Sequence, residues 1–358
     1  MAKTYLITGG AGFIGSHYVL HLLKKCDDAC VVNIDKLTYA GSRERLQCVE
    51  SDPRYRFVQG DICEEETLVH IFREYDPDYV VNFAAESHVD RSIELPLAFA
   101  QANALGTVNL LERARQRWTQ ENDEILPGRR FVQISTDEVY GSLSLDEPDM
   151  FFREDMRLDP HSPYSASKAA ADMFVMAYGR TFGLPVNIVR SSNVYGPFQF
   201  PEKMIPVMIR NALMHDVLPI YGDGLNVRDW LYVDDLCRAI DMVVEMGACG
   251  EVYNVGGHNE HSNISVARMI VSKCAAMTED PAISYELISF VEDRKGHDRR
   301  YGIDPSKVQT SLGWSAQTSF EEGLSKTIEW YLSHREWLYG AYGRGRDGRP
   351  ALRANSLA

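Results

Sequence analysis

The chain has 358 residues, 45% hydrophobic and 25% charged, enough for one large α/β domain or two unequal lobes around a sizeable core. Its formal net charge of −14 argues against a general nucleic-acid or anionic-membrane surface and leaves room only for a local basic pocket. No apolar run approaches the roughly 18 residues a membrane span needs. The seven cysteines are scattered without a Cys-x-x-Cys pair, so zinc and dithiol patterns are weak and no metal is expected. Free thiols fit a reducing compartment. The N-terminus runs straight into a strand-like segment, so no signal peptide is expected and the cytoplasm is the expected location.

Thr4–Thr8 is apolar and β-branched and reads as a buried first strand. Gly9, Gly12 and Gly15 follow, then an amphipathic helix pattern to Lys24. Glycine permits a tight turn and a close approach of backbone N–H groups to a pyrophosphate, and a helix N-terminus favours that anion. Val31–Asp35 is a second strand that ends in Asp35, twenty residues past Gly15. Strand, glycines, helix and acid together form a dinucleotide fingerprint. Asp35 would accept hydrogen bonds from ribose hydroxyls and repel a 2′-phosphate, so NAD is preferred over NADP; Lys36 slightly weakens that preference. The alternative is a glycine turn with a surface aspartate.

The alternation continues with a strand at Tyr55–Asp61, a helix from Glu64 to Glu74 and a strand at Tyr79–Ala85 that ends in small residues. Glu86–Ser92 is a polar loop in which His88 is either catalytic or a loop anchor. Leu97, Ala100, Ala104, Val108 and Leu111 recur at helical spacing and predict a long helix with one apolar stripe, facing core or a second subunit. Phe131–Ile134 is a short buried strand leading into Thr136, Asp137 and Glu138. Ligands sit at the carboxyl ends of strands in open α/β sheets. An Asp–Glu pair there could supply a proton donor and an acceptor if the surroundings split their pKa values; the bland alternative is a solvated acidic turn. Neighbouring side chains on a strand point to opposite faces, so both carboxylates reach one ligand only if the chain leaves β geometry. A turn or helical start is therefore predicted at Asp137.

Leu143–Asp159 reads as loop, and Pro163 sits in the first turn of the next helix. Tyr164 and Lys168, four apart, share one face of it. A lysine ammonium beside the phenol would lower the tyrosine pKa and make Tyr164 a candidate base; the alternative is a surface pair. Val186–Arg190 is a sixth strand. A doubly wound parallel α/β sheet of the Rossmann type is thus expected over 1–190, with 228–257 returning to it. A smaller C-terminal substrate-binding lobe is expected over 191–340, mainly 191–227 and 258–340, followed by a flexible tail over 341–358. In the lobe, a helix should reach Leu213, Pro219–Gly224 is a hairpin candidate, and Asp235–Met246 is helical. Glu251–Gly257 should rejoin the main sheet, Asp293–Arg300 is a polar loop, and Ser319–Tyr331 is a closing helix. Lys203, Arg228, Arg294, Arg299 and Arg300 stand in loops and suit a diphosphate, with Arg299 and Arg300 the first to be read as surface ion pairs. Tyr221 could stack on a base.

Seven motifs carry a resemblance that runs from Thr4 to Trp337: the glycine triplet, Asp35–Gly41, Ala85–Ser92, Thr136–Gly141, Tyr164–Lys168, Arg228–Trp230 and Gly296–Tyr301. They resemble the extended short-chain dehydrogenase/reductase family, and within it the nucleotide-sugar 4,6-dehydratases, most of all those acting on dTDP-glucose. The resemblance implies a hydro-lyase with tightly held NAD, a nucleoside-diphosphate sugar as substrate, and a homodimer built through the long helices after the fourth and fifth strands. It implies that Thr136, Asp137, Glu138, Tyr164 and Lys168 are catalytic. Tyr164 takes the C4 hydroxyl proton as C4 gives up hydride, Thr136 positions that hydroxyl, Glu138 removes the C5 proton, and Asp137 protonates the leaving C6 hydroxyl. Gly9, Gly12, Phe13, Ile14, Gly15, Asp35, Lys36, Leu37, Thr38, Asp61, Ile62, Ala84, Ala85, Ser87, Tyr164 and Lys168 would bind the cofactor. Ser87, Thr136, Asn193, Lys203, Tyr221, Arg228, Asn263, Arg294 and His297 would bind the substrate. The sequence departs from the pattern at Ala102, Leu236 and Lys295, where threonine, histidine and proline are frequent. A dehydratase for another nucleoside-diphosphate hexose is the nearest alternative, then a 4-epimerase or decarboxylase, which needs no paired acid and base. A non-catalytic NAD-sensing regulator could dispense with Tyr164 and Lys168.

Overall fold

The computed structural model describes residues 3–343. The β-branched runs form β1 (Lys3–Thr8), β2 (Ala29–Asp35), β3 (Tyr55–Gln59), β4 (Tyr79–Asn82), β5 (Arg130–Thr136) and β6 (Val186–Ser191). Shorter strands follow: β7 (Asn193–Tyr195), β8 (Leu218–Tyr221), β9 (Val227–Tyr232), β10 (Val252–Val255), β11 (Glu260–Ser262) and β12 (Ile288–Val291). The main sheet has seven strands in the order β10-β6-β5-β4-β1-β2-β3, every pair parallel.

Parallel strands buried on both faces read as continuous apolar runs, because successive side chains go to opposite sides. Ile7, Val31, Val81, Val132 and Val189 pack on one face with Tyr18, Leu22 and Val243, from the helices Phe13–Lys25 and Val233–Met246. Their immediate neighbours Leu6, Val32, Val80, Phe131 and Ile188 pack on the other face with Leu68, Leu110, Trp118 and Val175. Those four come from the helices Glu65–Tyr75, Gly106–Trp118 and Pro163–Phe182. The connections reverse direction between β1 and β4, which opens a crevice at the carboxyl ends of the strands. A separate apolar cluster joins the helices Met204–Leu213, Asn263–Thr278 and Phe320–Ser333 through Ile209, Ile270 and Leu324. The small sheets β11-β9-β7 and β12-β8 lie in the same part of the chain.

Several local expectations are corrected. Pro219–Gly224 is not a hairpin: β8 pairs in parallel with β12, and β9 pairs with β7 and β11. Gly222 and Gly224 do turn the chain, at φ 57° and 72°, but turn chemistry does not select the partner strand. The loop expected at Glu86–Ser92 becomes helical at Val89–Glu94. β4 stops at Asn82, paired with Thr8, because β1 ends there and Gly9 turns away at φ 67°. The long helix is Pro96–Phe99, a π-helical stretch Ala100–Leu105, then Gly106–Trp118. The wider π turn rotates the faces against each other, so the expected stripe breaks: Leu97 is 84% exposed while Leu111 is fully buried. A further helix, Arg335–Gly343, takes in the first residues of the expected tail; residues 344–358 lie outside the described residues. Among the described residues no helix is long and apolar enough to cross a membrane, no group of residues could hold a metal, and the seven cysteines are free.

Candidate active site

At Gly9 the positive φ of 67° suits glycine, and a Cβ there would meet the Ala84 backbone nitrogen at 2.7 Å. A Cβ on Gly15 would meet the Gly9 carbonyl oxygen at 2.5 Å. These bare backbones and the small Ala84 and Ala85 form the floor of a cleft of about 440 Å³ along the carboxyl ends of the strands. Gly9, Gly12, Phe13, Ile14, Gly15, Asp35, Lys36, Thr38, Asp61, Ile62, Ala84, Ala85 and Ser87 line one part of it. Thr136, Asp137, Glu138, Tyr164, Lys168, Asn193 and Lys203 line the other. Asp35 accepts from the Ala11 and Leu37 N–H groups at 2.9 and 2.8 Å, which aims the carboxylate with lone pairs to spare. Burial raises its pKa, and those two N–H groups and Arg45 pull it back. Lys36 is ion-paired to Asp61. The glycine cradle, the anchored acid and the small floor fit a dinucleotide. Leu37 does not line the cleft; its backbone, at φ 55°, serves to orient Asp35.

β5 ends at Thr136 in extended geometry (φ −138°, ψ 152°), and a 3₁₀ turn runs from Asp137 to Tyr140. The Thr136 hydroxyl accepts from the Glu138 N–H at 3.2 Å, an N-cap bond. The chain thus leaves β geometry where predicted, and both carboxylates face the cleft. On the next helix, Ser162 caps the N-terminus reciprocally with Ser165, and Pro163 holds the first turn. Tyr164 is thereby set into the cleft wall, edge-on to Phe99.

The surroundings of the two carboxyls differ. Both are pushed up by burial. Asp137 is raised well above the ordinary range, with the charges of Glu138 and Asp229 adding to burial. Glu138 instead feels Arg294, Lys203 and Arg228, which favour its ionised form. These surroundings favour the protonated form more strongly at Asp137 than at Glu138. Burial and the charges of Glu138 and Asp137 hold the Tyr164 phenol up, so the expected lowering by Lys168 is not what this arrangement produces. The Lys168 ammonium donates to the Ile134 carbonyl at 2.6 Å, and burial lowers its own pKa to about 8.

Other expected substrate residues lie beside the cleft rather than in its lining. The Arg228 guanidinium stacks on Tyr301 at 4.1 Å. Arg294 lies 3.7 Å from Asp90, and Tyr221 meets the His297 ring edge-on at 6.1 Å. Asn263 follows β11, whose residue His261 pairs with Arg228. The Asn193 and Asn263 side-chain oxygens, Asp137 Oδ2 and Arg294 Nε are buried without partners, as in a site built for a polar ligand. Lys203 donates to the Ser87 carbonyl at 2.7 Å. His88 is the anchor of the two alternatives: it caps Val89–Glu94 by accepting from the Arg91 N–H. Arg299 and Arg300 are taken by Asp223 and Glu260.

Sequence reasoning assigned no role to three groups. Asp229 accepts from the Gly257 and Asn259 N–H groups and is raised to about 6 by burial. Asp172 holds Arg190 at 2.9 Å and accepts from Ser135 at 3.0 Å, behind β5. Arg45 reaches the cleft from the turn Arg43–Val49. Asp229 stood inside a quoted motif, and Asp172 one turn beyond Lys168; nothing in local pattern marked Arg45.

Residues 6–327 match the family model described as GDP-mannose 4,6 dehydratase. A dTDP-glucose 4,6-dehydratase of Neisseria meningitidis is 51% identical over 354 residues, 97% of this chain and 99% of that protein. The Bacillus anthracis dTDP-glucose 4,6-dehydratase solved with NAD is 43% identical, with TM-score 0.84 over 95% of this chain and 100% of that one. A Thermotoga maritima UDP-glucose 4-epimerase solved with UDP-glucose has TM-score 0.81 but 29% identity, over 93% and 100% of the two chains. With the fold shared by both groups and the identity far higher to the first, the chain belongs to the nucleotide-sugar 4,6-dehydratase family, among the dTDP-glucose 4,6-dehydratases.

Proposed function

We propose that the protein converts dTDP-glucose to dTDP-4-keto-6-deoxyglucose and water, with NAD held in the glycine-lined part of the cleft. The observation that carries this reading is the Asp137–Glu138 pair, both members in the cleft and in opposite electrostatic surroundings. An epimerase has no use for that pair. NAD bound there would supply an acceptor for the C4 hydride and then a donor of that hydride to C6, with a proton returned to C5 to complete the 6-deoxy product. With the NAD⁺ cation bound beside it to favour its phenolate, Tyr164 would remove the proton of the sugar C4 hydroxyl, and Thr136 would position that hydroxyl. The resulting C4 ketone acidifies the C5 hydrogen. Glu138 takes that proton, and Asp137 protonates the C6 hydroxyl as it leaves as water. Elimination needs a neutral acid and an ionised base together, and adjacent carboxyls resist ionising together. Lys168 and Asp35 would hold the cofactor riboses, and Arg228, Arg294, Lys203 and Asn193 would hold the diphosphate and sugar.

The reading extends to a cytoplasmic homodimer. Leu97, Leu105 and Met173 expose 84%, 61% and 61% of their surface on the two long helices, more than isolated surface residues need. The free cysteines suit a reducing compartment. The direct test is incubation with dTDP-glucose, followed by alkali, which reveals a 4-keto-6-deoxy sugar by its absorbance. Product with dTDP-glucose supports the reading. No product with dTDP-, UDP- or other hexose nucleotides sinks it, and product only with another nucleotide corrects the substrate.

A further inference from the structure

Arg45 is 2% exposed, and among the described residues no carboxylate is in salt-bridge contact with it. A buried guanidinium without an ion-pair partner is costly and persists where carbonyl dipoles replace water. Here four hydrogen bonds reach three carbonyls. Nη1 donates to Ala11 and to Ala40, both at 2.8 Å. Nη2 and Nε donate to Phe198 at 3.1 and 3.3 Å. Ala11 lies in the glycine turn and also donates its N–H to Asp35. Ala40 lies in the loop after Asp35, and like Arg45 lines the cleft. Phe198 precedes Gln199, Phe200, Glu202 and Lys203, which form the facing wall.

The fourth side is the C-terminal helix. Trp337 lies against the guanidinium at 5.4 Å from its ring centroid. Phe198, a non-glycine residue at φ 63°, is held by Trp330 and Trp337 at 4.3 and 5.8 Å. One side chain therefore ties the glycine turn, the loop beside Asp35, the wall leading to Lys203 and the last helix. With four of its five N–H groups engaged, Arg45 is suited to shaping the cleft rather than to gripping a ligand directly.

We propose that Arg45 is the positioning residue that retains the dinucleotide, coupling the helix Arg335–Gly343 to the cofactor end of the cleft. This rests on the NAD reading above. Its loss loosens the segments around the ribose and pyrophosphate without touching the reacting groups. It is tested with NAD-stripped wild type, Arg45→Met, Arg45→Lys and Trp337→Leu, by calorimetric NAD titration and by turnover of dTDP-glucose against added NAD. Arg45→Met should raise the NAD dissociation constant about tenfold or more, as expected for loss of charge-assisted hydrogen bonds. Its kcat at saturating NAD should stay near wild type, a split that a merely structural defect does not produce. Arg45→Lys should recover part of the affinity, and Trp337→Leu should show a smaller loss in the same direction. Wild-type NAD affinity in Arg45→Met overturns the proposal, as does a fall in kcat that saturating NAD does not restore. If Arg45→Met does not fold, unchanged NAD affinity in Arg45→Lys and Trp337→Leu overturns it equally. A wild type that binds no NAD overturns the cofactor reading itself, and this role with it.

Discussion

Asp137 and Glu138 are chain neighbours distinguished by what surrounds them. Cations favour ionised Glu138, whereas Glu138 and Asp229 disfavour ionised Asp137. Glu138→Gln should lower kcat by about 10²- to 10⁴-fold with the fold intact, the usual loss when a positioned base is removed; full turnover in that variant would remove Glu138 from its role. Linkage supplies a second prediction. Asp137 has a folded-state pKa above its unfolded value, so its protonation stabilises the fold below the unfolded pKa. That contribution is lost as pH rises through the folded pKa. Asp137→Asn does not titrate, so it should melt higher than wild type by about 2 °C or more at pH 8, with the gap closing toward pH 4. A gap that widens on acidification contradicts the assignment. The residue types were legible at this scale and their division of labour was implied by the family resemblance, but its electrostatic cause was not, because it depends on Asp229, Arg228 and Arg294 arriving from distant segments.

At the scale of elements, the Asp137–Tyr140 turn and the glycine turn are each set by local chemistry and checked by a neighbour. Thr136 caps the 3₁₀ turn that aims both carboxylates. Gly15 packs its Cα against the Gly9 carbonyl, where a methyl group would lie 2.5 Å from backbone oxygen. Gly15→Ala should therefore cost about 1–3 kcal/mol of stability in urea unfolding and weaken NAD binding. A variant as stable and as tight as wild type would mean that the turn is looser than the contact implies. Strand-by-strand reading succeeded in the main sheet because each run is apolar and ends at a glycine or polar turn. It failed at Pro219–Gly224, where glycines marked a turn but β12, far along the chain, supplied the partner. It failed again at Ala100–Leu105, because a π stretch has no periodic signature.

For the whole molecule, the exposed Leu97, Leu105 and Met173 support association of two copies through the helices Pro96–Trp118 and Pro163–Phe182. Replacing Leu97 and Met173 together by glutamate should shift the species seen in sedimentation velocity from dimer to monomer, since charges at an interface core are strongly disfavoured. A wild type that sediments as a monomer, or a double variant that remains dimeric, would move the interface elsewhere.

The order of elements, the glycine cradle, Asp35, the hydroxyl–carboxylate turn and the Tyr164–Lys168 helix face were determined by the sequence itself. Each follows from local periodicity, glycine sterics or adjacency along the chain. The tertiary structure alone decided what surrounds each carboxyl, that burial raises the Tyr164 phenol, and that Arg45 binds three walls of the cleft to the helix Arg335–Gly343. Burial and charge are properties of what lies around a residue in space, and those neighbours come from segments that no local pattern connects.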